Sequence, residues 1–205
     1  MTAFGGHRFS HGWADNQKVF FWAEVSRPGE LDEEINADTA RPGREPRYGY
    51  LRLGKTEPGE QVLLKVALSP VSVDEAKANM AAELPEWDFD GTRAAAKAAW
   101  NKELSRIDVE TADETSRTIF YTALFHSMIH PSAFCDVSGD YRGADLAVHT
   151  GADYTYSTVF SLWDTYRAEH PFLALMKPVQ ARDMAVSNVR NSADKQSSFF
   201  FFVAV

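Results

Sequence analysis

The chain of 205 residues predicts a β domain joined to an α domain. Its first third holds three short runs rich in β-branched and aromatic residues, each bounded by turn signals, which is typical of strands. From Ser72 onward, apolar residues instead recur with the helical period. A group of strands followed by a group of helices indicates separate β and α domains, and not alternating strand–helix units.

The three predicted strands are Lys18–Val25, Tyr48–Leu53 and Gln61–Leu68. Together they suggest part of an antiparallel sandwich. Between the first two, Pro28–Pro46 is rich in charge, Pro and Gly, and we predict a long exposed loop there. The sequence Glu57–Glu60 predicts a turn before the third strand, because its Pro suits the second turn position.

The helical part begins at a capping box, Ser72-Val-Asp-Glu75. Its hydroxyl and its carboxylate can each satisfy an unpaired backbone N–H group, so a helix is predicted from here to about Leu84. Ala133–Tyr154 is expected to be irregular or to hold short strands. The other predicted helices are Thr92–Ile107, Glu114–Ile129 with an apolar face that includes Ile119 and Leu124, Leu162–Met176 and Val179–Arg190.

Charge and composition exclude several classes of function. The formal charge is −8, from 21 Lys and Arg against 29 Asp and Glu, which argues against a nucleic-acid partner. The longest apolar run, Phe199–Val205, is far shorter than the roughly 20 residues of a membrane span. Met1–Gly12 has no visible export signal, and the lone Cys135 is interpreted as structural.

The segment Phe160–Pro171 is the densest group of chemically active side chains in the sequence. It places Trp163, Asp164 and Arg167 close together, with Tyr166 and His170 beside them. An aromatic ring can stack on the apolar face of a sugar, while a carboxylate and a guanidinium suit its neighbouring hydroxyls. The segment therefore predicts a carbohydrate contact.

A structural interpretation of the same segment remains open. In it, Leu162 and Trp163 pack inward from a buried helix. Asp164 then caps the helix backbone and pairs with Arg167.

Two other groups have spacings that can hold a metal. Asp136–Asp140 followed by Asp145 places oxygen ligands at alternate positions, as calcium loops do, but we favour a turn between short strands. His126 and His130 stand four residues apart without the Glu of a zinc-protease motif, and we interpret them as helix-end residues.

A polar and aromatic cluster precedes the first long predicted strand. It could border a sugar site at a domain junction, although a solvated loop is the favoured interpretation. Its members are His7, Arg8, His11, Trp13 and Asp15.

Seven segments, in one order along the chain, carry a family resemblance. They are Gly6–Glu24, Leu64–Asn79, Trp87–Asp90, Trp100–Leu104, Phe120–Met128, Asp136–Gly143 and Trp163–Arg167. Together they resemble glycoside hydrolase family 92, the calcium-dependent exo-α-mannosidases.

The resemblance implies an N-terminal β-sandwich, a helical linker and an (α/α)6 toroid. We expect part of the sandwich in residues 1–70, the linker in 71–110 and the first toroid helices in 111–205, with 191–205 outside the resemblance. It also implies inverting hydrolysis of terminal α-mannosides, which needs a carboxylic acid and a carboxylate base, with a bound calcium. Trp163, Asp164 and Arg167 are the candidate substrate-binding residues.

By the same resemblance, the catalytic acid, the base and the calcium ligands are expected beyond Met184, in segments that this sequence lacks. The chain is therefore expected to be an inactive fragment whose partner is a mannose-containing glycan, and whose parent is exported to the periplasm or the cell exterior. Two alternatives remain: another sandwich-plus-toroid glycosidase or phosphorylase, and a non-catalytic sugar-binding or structural fragment.

Overall fold

The computed structural model describes residues 1–10, 17–35, 47–158 and 162–194. The fold mixes β and α structure, with the longer strands preceding the helices, as the sequence predicts. The strands are β1 Thr2–Ser10, β2 Gln17–Val25, β3 Glu30–Ile35, β4 Arg47–Arg52, β5 Leu64–Ser69, β6 Tyr141–Arg142 and β7 Val148–His149. The helices are α1 Val73–Glu83, α2 Phe89–Leu104, α3 Glu114–His126, α4 Leu162–Thr165, α5 Glu169–Met176 and α6 Pro178–Asp194.

The main sheet is antiparallel with the strand order β1-β2-β5. Trp22 in the central strand lies opposite Gly5 on one side and Ala67 on the other. Helix α1 packs on this face of the sheet, and a Cβ atom at Gly5 would collide with the Val73 side chain. The close packing of α1 therefore depends on a residue without a side chain in β1.

Two predictions about the first third of the chain are wrong. His7 and Arg8 belong to β1, which the sequence analysis assigned to a loop, while His11, Trp13 and Asp15 lie outside the described residues. The predicted loop Pro28–Pro46 contains β3, which pairs with β4 in a separate two-stranded sheet.

The composition of β3 explains why it was missed. Its sequence, Glu-Leu-Asp-Glu-Glu-Ile, is mostly acidic and therefore resembles a solvated loop. Pairing places basic residues of β4 opposite β3. Asp32 forms an ion pair of 2.6 Å with Arg52. Cross-strand charge pairing, which depends on the partner strand, favours the strand here.

Helix α1 follows its prediction closely, but only half of the capping box forms. The Ser72 hydroxyl accepts a hydrogen bond of 3.1 Å from the Glu75 N–H group. The Ser72 N–H group donates instead to the hydroxyl of Ser69, and the Glu75 carboxylate accepts a bond from the hydroxyl of Ser138. The turn at Glu57–Glu60 is confirmed, with Gly59 at φ +83°.

Helix α2, observed at Phe89–Leu104, differs from its predicted bounds at both ends, and helix α3 differs only at its end. Helix α2 begins at Phe89 and not at Thr92, because the Asp88 carboxylate caps the N–H group of Gly91 at 2.8 Å. Helix α3 ends at His126, three residues before its predicted end, and Ile119 on its predicted apolar face is 63% exposed.

The predicted helix Leu162–Met176 is interrupted. Residues 166–168 form a turn that separates α4 from α5, and Pro171 lies in the first turn of α5. A proline ring clashes with the carbonyl four residues before it, so Pro171 is compatible with a new helix start but not with a continuous helix. No helix in the described part of the chain is long and apolar enough to cross a membrane.

Candidate functional site

Helix α4 and the turn that follows it present the three candidate residues at the surface. Leu162 packs against the core residues Leu173 and Met184. Trp163, the next residue, is 85% exposed, and Asp164 and Arg167 are exposed as well. The helix is therefore anchored through Leu162 and leaves the ring, the carboxylate and the guanidinium accessible.

This geometry contradicts the structural interpretation of the segment. Trp163 does not pack inward, and Asp164 lies inside α4, not at a capping position. Among the described residues, no ion pair joins Asp164 to Arg167. Residues 160 and 161 of the segment lie outside the described residues.

Arg167 is held by its neighbour. Its Nε–H group donates a hydrogen bond of 2.6 Å to the Tyr166 hydroxyl, and its Cζ atom lies 5.3 Å from the Tyr166 ring centroid. The Tyr166 N–H group in turn donates to the Leu162 carbonyl at 3.0 Å. The site thus combines an exposed ring, a carboxylate and a guanidinium fixed by a neutral phenol.

His170, the last polar member of the segment, faces a different environment. It is half-buried at the start of α5, and burial lowers the pKa of its imidazole. Burial thus favours the neutral form of the ring. The structure separates it from the exposed group of Trp163, Asp164 and Arg167.

Asp136, considered above as a calcium ligand, lies in a buried junction. One of its carboxylate oxygens accepts a bond of 2.8 Å from the Ser69 hydroxyl, and the other accepts a bond of 2.7 Å from the Asn79 side-chain amide. Burial raises the pKa of Asp136, and these two donors oppose the increase. Asp136 therefore joins β5 and α1 to the segment before β6.

The remaining acidic residues of this loop also bind within the loop. Asp140 accepts a bond of 2.9 Å from the N–H group of Gly151, and Asp145 accepts bonds from Ala147 and His149. A turn that places Gly139 at φ +84° precedes β6. The predicted turn forms, but it does not lie between two strands, because within the described residues the only strand pairing between α3 and the turn is an isolated bridge between Ala133 and Ser157.

The grouping of possible ligands tests the two metal-binding spacings that the sequence shows. Within residues 1–10, 17–35, 47–158 and 162–194, no three His, Cys, Asp or Glu side chains are grouped so that they could hold a metal. His126 lies at the end of α3 and His130 lies beyond it, as expected for helix-end residues. The carboxylates of Asp136, Asp140 and Asp145 are therefore not grouped as metal ligands.

A second set of polar contacts, buried or partly buried, attaches residues 155–157 to α6. The Thr155 N–H group donates to Asp183, the Ser157 N–H group donates to Ser187, and the Tyr156 hydroxyl donates to Asn191. These residues were not predicted from the sequence, although a signal for them is present there. Asp183, Ser187 and Asn191 repeat every four positions, as a polar stripe along one face of a helix does.

Comparison with known proteins identifies the family. The model of the glycosyl hydrolase family 92 catalytic domain matches residues 75–199. The chain belongs to glycoside hydrolase family 92. Residues 191–199, which the sequence analysis placed outside the resemblance, lie within the family 92 match.

Solved family 92 structures share this fold. A family 92 alpha-mannosidase from Bacteroides thetaiotaomicron is 33% identical, with a TM-score of 0.79 over 93% of this chain. It has also been solved in complex with mannoimidazole. A family 92 inverting mannosidase from the same organism is 26% identical, with a TM-score of 0.70 over 84% of this chain.

Among curated proteins, a relative from Arthroderma benhamiae is described as an uncharacterized secreted glycosidase. It is 31% identical over 124 residues, or 58% of this chain. The chain spans only 15% of that protein, 27% of the first Bacteroides enzyme and 24% of the inverting one.

Proposed function

We propose that this chain contributes part of the terminal-mannose subsite of an inverting, calcium-dependent exo-α-mannosidase that degrades mannose-containing glycans. The observation that carries the proposal is the exposure of Trp163, at 85%, next to the exposed Asp164 and Arg167. Support comes from the relatives, since one is an alpha-mannosidase solved with mannoimidazole and another is described as inverting.

Each of the three side chains has a distinct binding role in this proposal. The Trp163 ring stacks on the apolar face of the sugar, where aromatic side chains contribute a large contact area. The Asp164 carboxylate accepts hydrogen bonds from sugar hydroxyls, and the Arg167 guanidinium donates to hydroxyl oxygens. None of these residues transfers a proton to the leaving group, so binding and catalysis are divided between different segments.

The catalytic groups are proposed to lie in parts of the relatives that this chain does not match. Inversion needs a carboxylic acid and a carboxylate roughly 6.5 to 9.5 Å apart. Calcium, when bound, supplies a hard cation that coordinates oxygen ligands. The calcium ligands are proposed to lie in those other parts as well.

The wider architecture belongs to the same proposal. The β1-β2-β5 sheet corresponds to part of a β-sandwich in residues 1–70, and α1 and α2 belong to a linker in residues 71–110. The helices after residue 111 then open an (α/α)6 toroid. The description of the Arthroderma relative as secreted favours a parent protein that is exported to the periplasm or the cell exterior.

Family membership removes the alternative of a glycosidase or phosphorylase from another family, and a non-catalytic fragment remains the rival. A titration of the full chain with methyl α-mannoside, followed by tryptophan fluorescence and NMR, tests the subsite. We expect weak binding that Trp163→Ala abolishes, that Trp163→Phe retains in part and that methyl α-glucoside does not reproduce. Unchanged binding in Trp163→Ala would remove this residue from the subsite.

A second experiment separates an enzyme segment from a non-catalytic fragment. We expect the chain alone to leave an aryl α-mannoside intact in the presence of calcium, because binding residues cannot transfer protons. A chimaera in which this chain replaces the matching segment of the Bacteroides thetaiotaomicron alpha-mannosidase should hydrolyse it. A well-folded but inactive chimaera would favour the non-catalytic alternative.

A further inference from the structure

We propose that Tyr166 is a positioning residue, which fixes the Arg167 guanidinium so that it can bind two neighbouring hydroxyl oxygens of the sugar. This inference rests on the proposed function. Tyr166 acts through Arg167 and does not itself need to contact the sugar.

The contacts connect Arg167 to the core in three steps. Leu162 packs against Leu173 and Met184. The Tyr166 N–H group donates to the Leu162 carbonyl at 3.0 Å, which holds the start of the turn against α4. The Tyr166 hydroxyl then accepts the Arg167 Nε–H group at 2.6 Å. A guanidinium on an exposed turn is thus tied to a packed residue.

The chemistry of the guanidinium determines which edge is left for a ligand. Arginine carries five N–H donors in one plane. With Nε–H bound to Tyr166, the Nη1 and Nη2 groups remain as an end-on fork that can donate two parallel hydrogen bonds. Two oxygens on adjacent sugar carbons are a suitable pair of acceptors for such a fork.

The neutrality of the phenol matters for this role. A carboxylate partner would also order the arginine, but it would neutralise its charge and occupy its fork. Among the described residues, Asp164 forms no ion pair with Arg167. The phenol hydroxyl and the ring, with Cζ at 5.3 Å, order the side chain while Asp164 and Arg167 both stay available. Ordering the side chain before binding reduces the conformational entropy lost on binding.

The test compares Tyr166→Phe with Tyr50→Phe, a matched change at a half-exposed tyrosine in β4. In the ¹⁵N-labelled chain, Tyr166→Phe should shift the Arg167 Nε–H resonance and speed its exchange with solvent. It should also weaken binding of methyl α-mannoside by about threefold to tenfold, because Arg167 keeps its charge but loses more conformational freedom on binding. Tyr50→Phe should change neither observable.

A double-mutant cycle separates positioning from direct contact. In the Arg167→Ala background, Tyr166→Phe should have no further effect on the affinity, because the group it positions is gone. An equal loss in both backgrounds would overturn the inference and make Tyr166 a direct contact. If Trp163→Ala abolishes binding but Tyr166→Phe leaves both affinity and resonance unchanged, only this inference fails. No binding by the unaltered chain would overturn the proposed function along with it.

Discussion

The Asp136 carboxylate and the Ser69 hydroxyl, 67 positions apart in the sequence, form a buried hydrogen bond of 2.8 Å. Ser69 is the last residue of β5, and Asp136 begins the loop that precedes β6. Asn79 adds α1 to the same carboxylate, and its own side-chain oxygen accepts the N–H group of Val137. This junction connects the main sheet and α1 to the segment that precedes β6.

Asp136→Asn should destabilise the chain. The new amide has one acceptor oxygen where the carboxylate has two, so one of the donors from Ser69 and Asn79 loses its partner. A buried donor without a partner costs about 1–3 kcal/mol in the free energy of unfolding. Urea unfolding measures this loss, and Asp153→Asn at an exposed position is the control. Equal stability of the two variants would mean that the junction contributes little.

The pH dependence of stability should change in the same variant. Burial raises the pKa of Asp136 above its ordinary value of 3.8, so the folded state binds its proton more tightly than the unfolded state does. The stabilisation from that proton is complete below pH 3.8 and is lost as the pH rises through the raised pKa. Urea unfolding from acid to neutral pH should therefore show the gap between wild type and Asp136→Asn narrowing as the pH rises. A gap that widens would contradict the assignment.

Glu103→Gln should remove a charge contact between α2 and the start of α6. The Glu103 carboxylate lies 2.9 Å from Arg106 and 3.3 Å from Lys177. Burial opposes the shift, but these two cations lower its pKa below the ordinary value of 4.5. Because the group is partly exposed, we expect a loss of at most about 1 kcal/mol.

The loss in Glu103→Gln should depend on pH and salt. A lowered pKa stabilises the folded state above the ordinary value of 4.5, and this stabilisation disappears as the pH falls through the lowered pKa. Glu110→Gln at an exposed position is the control. A loss of the same size in strong acid and in 1 M salt would point to packing and not to charge.

Asp164→Ala should affect activity and leave stability unchanged. Asp164 is exposed and lies inside α4, so its removal should change the free energy of unfolding by less than about 0.5 kcal/mol. In the active chimaera, kcat/KM should fall at least about tenfold, because a charge-assisted hydrogen bond contributes about 1.5–3 kcal/mol. Melting and kinetics on one preparation measure both, and a destabilised but fully active variant would remove Asp164 from the subsite.

The isolated chain should associate in solution through its exposed apolar side chains. Leu175, Val179 and Val189 on α5 and α6 are 80%, 70% and 69% exposed. Exposed apolar surface of this kind promotes association. Light scattering should detect oligomers, and the double change Leu175→Ser with Val179→Ser should reduce them, while Lys97→Ser on α2 should not. A clean monomer with a sharp cooperative melt would contradict this expectation.

Features that depend on neighbours in sequence were predictable from the sequence alone. Ser72 starts α1 through a hydrogen bond three residues away, and the turn at Glu57–Glu60 forms from its own Pro and Gly. The adjacency of Trp163 and Asp164 was visible in the sequence itself, and the other two features act within one turn of chain.

Features that depend on distant partners were decided only by the tertiary structure. Strand β3 needs β4 to balance its charge, and α1 can approach the sheet only because Gly5 lies under it. Trp163 is exposed because the adjacent Leu162 makes the core contact. Both residues are apolar, so the sequence alone does not show which of them is buried. The role of Asp136 likewise required Ser69 and Asn79, which approach it only after folding. Local hydrogen bonds and turn geometry can be derived from neighbouring residues, whereas burial and long-range pairing depend on the whole chain.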